Sequence, residues 1–139
     1  GVVENDIEAV KWLLLAANQG LAEAEYNLGF MYYNGEGVPE DKAEAVRWFR
    51  LAAKQGFPQA QFNLGVMYAK GEGVPQNKMK AYSWFSNASK LGHNESNPAR
   101  DIVMSSMSQT EIRDAIYSAQ QCFENHYKSC DWCALFYRH

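Results

Sequence analysis

The chain has 139 residues, 47% of them hydrophobic and 14% aromatic, and a formal net charge of −3. That is one domain's worth of chain with enough apolar surface for a continuous core, which excludes disorder for the bulk of it. The acidic balance and the dispersed lysines and arginines offer no basic field to phosphates and argue against nucleic acid as a partner. The longest apolar run, Trp12 to Ala17, falls far short of the roughly 18 residues of a membrane span.

Tryptophans 12, 48 and 84 set a period of 36 (48 − 12 = 84 − 48 = 36), and residues 22–57 and 58–93 repeat one pattern without insertion or deletion. A period of this size marks stacked supersecondary units. Gly1-Val2-Val3 aligns with Gly37-Val38-Pro39, so the expectation is a chain that starts inside a unit, as a fragment or processed product lacking upstream units. The organisation reads as a partial repeat (1–21), two repeats (22–57 and 58–93), capping helices (94–127) and a tail (128–139).

In chain order, residues 5–18 predict a helix: Ala9, Trp12, Leu13, Ala16 and Ala17 recur at three and four, with Asn5 and Glu8 as cap and Gly20 beyond the end. Residues 22–34 and 41–54 predict helices A and B of a hairpin, joined by Gly35-Glu36-Gly37-Val38-Pro39. Here Gly35 ends helix A in a left-handed conformation and Asp41 caps helix B. Asn77 caps the next helix B. Ala45, Trp48 and Ala52 place one large ring between two small residues on one face. Gly29 and Gly65 lie inside helix A, where glycine costs about 1 kcal/mol against alanine, and so predict close approach of helix B. Met31-Tyr32 and Met67-Tyr68 complete that seam as core.

After Lys90 the pattern fades. Arg100 stands where the repeat calls for leucine and Asp101 where it calls for glycine, as suits the polar end unit of a stack. The last helix opens on the capping box Ser108-Gln109-Thr110-Glu111 and is expected to bury Ile112, Ala115, Ile116, Ala119 and Phe123. The tail from Lys128, short and aromatic, either docks on this cap or stays loose.

Sites for chemistry are sparse. The Gly-Glu-Gly loops lack the strand and the lysine of a phosphate loop and read as turns. His93, His126 and His139 match no hydrolase spacing, with His126 read as a packed histidine, and Glu23 and Glu25 read as a solvated face. No catalytic residue, metal site or cofactor is called. Cys122, Cys130 and Cys133 leave three readings open: one disulfide, three free thiols, or a zinc site formed with His126.

Leu28-Gly29, Tyr32, Gly35-x-Gly37-Val38-Pro39, Ala45, Trp48-Phe49, Ala52-Ala53 and Gln55-Gly56 form a signature. It returns as Leu64-Gly65, Tyr68, Gly71-x-Gly73-Val74-Pro75, Ala81, Trp84-Phe85 and Ala88. It resembles the Sel-1-like repeat, a branch of the tetratricopeptide-type hairpins, over residues 1–93, and the resemblance implies a bacterial protein. The resemblance implies an all-α fold: a right-handed α-solenoid of antiparallel helical hairpins with a C-terminal capping helix pair. It implies a scaffold or adaptor with no catalytic residues, binding a partner protein or peptide along the concave helix A faces. By motif position those faces carry Glu23, Tyr26, Asn27, Phe30, Tyr33 and Asn34, then Gln59, Phe62, Asn63, Val66, Ala69 and Lys70. Tyr26 and Phe62 either line the groove or pack between units, while Phe30 and Tyr33 are less constrained by the repeat. The C-terminal segment resembles that of exported members, which implies a periplasmic or secreted protein and a Cys122–Cys130 disulfide. Rival roles are an immunity or inhibitor protein against a secreted toxin, and a metal or redox sensor built on the cysteines.

Overall fold

Glycine and proline cut the chain into short helical pieces, each apolar on the side it turns to its neighbours. The computed structural model describes residues 2–127. Among them are seven helices and no strand: α1 (Val2–Asn18), α2 (Ala22–Asn34), α3 (Lys42–Lys54), α4 (Pro58–Lys70), α5 (Lys78–Lys90), α6 (Ser96–Met104) and α7 (Gln109–Glu124). From α1 to α6 each helix packs on the next, and α7 packs on α5. The result is an all-α repeat solenoid.

The punctuation works as the residues dictate. Gly35 (φ 71°) and Gly71 (φ 73°) end α2 and α4 in the left-handed conformation that only glycine adopts without strain. Asp41 accepts a hydrogen bond from the Glu44 amide (3.0 Å), Asn77 accepts from the Lys80 amide (2.9 Å), and both bonds of the Ser108–Glu111 capping box are made. The helical glycines have the predicted packing reason in a sharper form. A Cβ on Gly29 would stand 2.5 Å from the edge of the Phe49 ring, and one on Gly65 would stand 2.7 Å from that of Phe85. It is a ring of helix B, not its backbone, that needs the missing methyl.

Several expectations are corrected. Helix α1 starts at Val2, so Asn5 lies within it and is no cap. Val3 keeps the amide that Pro39 lacks at the matching position, so the helix continues where the later copies have a loop. Trp48 and Trp84 are buried as predicted, but Trp12 is 65% exposed. Trp48 groups with Val10, Ala17, Ala24 and Leu28, which lie on α1 and α2. A helix B tryptophan is therefore covered partly by the helix B before it, and no described helix precedes α1.

Glu25 is not part of a solvated face. It is buried, accepts a 2.6 Å bond from Gln55 Nε2, and its carboxyl is held above its usual pKa by desolvation, partly offset by that bond. The buried stripe of α7 is rotated from the expected one. Ala115, Ser118, Ala119 and Cys122 are buried, while Ile116 is exposed, because small residues let α7 approach α5 closely. His126 is exposed, and the ring of Tyr127 turns in instead, beside Trp84, Phe123 and the open side of Gly56. The Cys122 sulfur is buried and accepts a bond from Asn87 Nδ2 (3.0 Å). Its expected partner Cys130, together with Cys133 and the tail, lies outside the described residues.

Candidate functional site

The helix A partners α2 and α4 do not interlock tightly with each other, and between them opens a cavity of about 210 Å³. Phe30 and Tyr33 come from α2, and Phe62, Asn63, Val66 and Met67 from α4, with the Phe49 ring of α3 also in the lining. The spacing follows from the repeat: Phe30 and Val66 are the same position one period apart, presented by two parallel copies of the same helix.

Of the twelve residues placed on the partner-binding faces, the structure brings Phe30, Tyr33, Phe62, Asn63 and Val66 together around this cavity, and Ala69 lies outside its lining. Tyr26 stands behind them. Its ring packs edge-on against Phe30 (5.0 Å between centroids) and tilted against Phe57 (5.1 Å) and Phe49 (5.9 Å). Its hydroxyl shares a hydrogen bond with the Asn63 side chain, and burial first, then Glu95, pushes its pKa up. Tyr26 thus packs between units, whereas Phe62 does both jobs, since it also stacks on Phe85 and His93 (4.8 Å) while lining the cavity.

Glu23 and Asn27 face elsewhere, in a cleft beside Leu13 and Leu21 between α1 and α2. Asn34, Gln59 and Lys70 are exposed and outside the cavity lining.

Tyr33 is less free than its sequence context implied. Lys42 Nζ sits 3.4 Å from its ring centroid and donates to its carbonyl oxygen (2.9 Å), and its hydroxyl donates to the Glu72 carboxylate (3.2 Å). Lys70 lies 4.0 Å from the same carboxylate. The result is a polar belt beside Tyr33, next to a floor of rings. Sequence reasoning missed Phe49 and Met67, because residues read as core in a single helix also floor a gap between helices. It also missed Ile102 on α6, 71% exposed, which the period itself marks as the third in the series (66 − 30 = 102 − 66 = 36). What the site offers chemically is burial of apolar side chains beside one amide and one anchored phenol.

With this geometry in hand, the comparisons agree on its lineage. The family model "Sel1 repeat" matches residues 1–21, 22–57 and 58–93. Among solved structures the chain is similar to c5321, a protective antigen present in uropathogenic Escherichia coli strains displaying an SLR fold. Identity is 32% over 94% of this chain and 28% of that one, with a TM-score of 0.86. It is also similar to a Sel1 repeat protein from Oxalobacter formigenes, with 34% identity over 69% of this chain and 40% of that one and a TM-score of 0.68. The chain therefore spans well under half the length of either relative. No curated protein matches it. Three consecutive matches ending at residue 93 cover well over half the sequence, and the chain belongs to the Sel1 repeat family.

Proposed function

We propose that this chain is a non-enzymatic protein-interaction module that captures an apolar side chain of a partner peptide in the cavity between α2 and α4. Sel1 repeat proteins are in general protein–protein interaction scaffolds, which supports the broad reading. The observation that carries the finer one is the ring-floored gap itself, lined by Phe30 and Val66 from successive copies and by the Asn63 amide, with Phe30 partly exposed. A cavity of about 210 Å³ takes one or two side chains, not a cofactor. An exported location is proposed with it, supported by the relative that is a protective antigen.

The test is a peptide selection on the immobilised protein followed by affinity measurement with the selected peptides. Val66→Glu, which sets a charge in the cavity wall, is expected to weaken those peptides about tenfold or more, with helix content unchanged. Peptides that bind Val66→Glu and the parent chain equally sit elsewhere and sink the assignment.

A further inference from the structure

The departures from the repeat in α5 and α6 converge on one place. A second cavity, of about 190 Å³, lies between α5, α6 and α7, with Ser86, Ser89 and Lys90 on one wall, Arg100 on the second and Ile116 and Gln120 on the third. Arg100 occupies the position of Leu28 and Leu64, both fully buried core residues (64 + 36 = 100). Ser89 occupies that of Ala17 and Ala53, both buried. Where two earlier copies fill the interior with aliphatic side chains, this one has an arginine, hydroxyls and an open volume. An end cap needs polar residues facing outward, and these face into a cavity instead.

Two further observations point to a ligand. Ser86 is only 7% exposed, and among the described residues its Oγ has no hydrogen-bond partner, a costly state for a buried hydroxyl. Among the described residues, the charged groups lining the cavity are both positive, Lys90 and Arg100, and no carboxylate lines it. Lys90 lies over the Phe123 ring (4.8 Å) and makes no ion pair among the described residues. Arg100 reaches the neighbouring Asp101 through Nε alone (3.3 Å), and Gln120 donates its amide to Glu124 (3.0 Å). Two like charges against one small volume repel each other unless an anion lies between them. A guanidinium, an ammonium and a buried hydroxyl are donors of the kind that hold an oxyanion, and the Ile116 wall suits a short apolar stem on it.

We propose that the α5–α6–α7 cavity is a binding site for a small oxyanion, a carboxylate or phosphate group. The volume lies below that of cavities built for drug-sized ligands, so the ligand is compact.

The experiment titrates the protein with inorganic phosphate and, separately, with butyrate, at ionic strength held constant with chloride. Amide NMR shifts of Ser86 to Lys90 and of Arg100 are the readout. At least one titration is expected to saturate beyond the chloride control, phosphate the tighter if the ligand is a phosphate and butyrate the tighter if it is a carboxylate on an apolar stem. Arg100→Leu, the residue of the two earlier copies, is expected to weaken binding about tenfold or more, and Lys90→Gln, at a helix end and free of ion pairs among the described residues, several-fold with helix content unchanged. Should Arg100→Leu fail to fold, Lys90→Gln and Ser86→Ala decide the matter together. Absence of saturation with both anions, or binding that survives these substitutions, overturns the proposal.

Discussion

The first and third tryptophans of the series occupy one position in the repeat and meet opposite surroundings. Trp84, near the C-terminal end, is 1% exposed, whereas Trp12, on α1, is 65% exposed. Their own helices do not explain the difference, because Ala9 and Ala81 precede the two rings at the same distance and Ala16 and Ala88 follow them. What differs is the neighbour. Trp84 belongs to a core cluster spanning α3 to α7, with the Tyr127 ring 6.4 Å away, while no described helix lies on the far side of α1. In a stack of repeats, burial is a property of adjacency more than of the residue.

The sharpest way to break this comparison is to truncate each ring. Trp84→Ala should cost about 3–5 kcal/mol in urea unfolding and Trp12→Ala within about 0.5 kcal/mol. Equal costs at the two positions would show that a covering surface is present over Trp12 in solution.

A second test uses the helical glycines. Gly65→Ala gains about 1 kcal/mol of helix propensity, yet the new methyl would press on Phe85 at 2.7 Å, so a net loss of about 1–3 kcal/mol is expected. A stabilised Gly65→Ala protein would mean that the ring moves aside freely, and the tight seam inferred at this end would be wrong.

The smallest effect separates the first copy from the second by charge. Glu25 and Gln61 are equivalent buried positions (25 + 36 = 61), but only Glu25 carries a carboxyl, whose pKa burial holds above its usual value. A carboxyl whose folded pKa is raised stabilises the fold least when ionised, and stability falls as pH rises from the unfolded value through the folded one. Glu25→Gln should therefore raise the melting temperature at pH 7, and the gain should vanish well below pH 4.5, where the carboxyl is protonated in both states. A destabilised Glu25→Gln protein at pH 7 would show that the ionised carboxylate is held by more than Gln55. Hydrogen exchange completes the series, with α1 amides expected to exchange faster than those of α5.

Much of this was readable in the residues. Period, hairpin boundaries, left-handed glycines and the Asp41, Asn77 and Ser108 caps are local, because each is set by a few adjacent residues and the conformations they allow. Phe30 and Val66, one period apart, line the same cavity because a repeat presents equivalent side chains to equivalent places, whereas Tyr26 and Phe62, also one period apart, do not both line it. Ile102 was recoverable by the same count, but polar Arg100 and Asp101 beside it broke the visible pattern.

What escaped reading depends on which helix arrives from elsewhere in the chain. Burial of Glu25 required Gln55 to come down beside it, exposure of Ile116 followed from α7 settling on α5 through its small residues, and Arg100 read as a polar end residue until three helices enclosed it. The amino-acid order alone determined the helices, their punctuation and their stacking, since backbone sterics and apolar periodicity act within a single turn or a single hairpin. Only the assembled structure decided which of two like residues is covered and where the gaps between helices fall, because both depend on the distances between surfaces that no local pattern encodes.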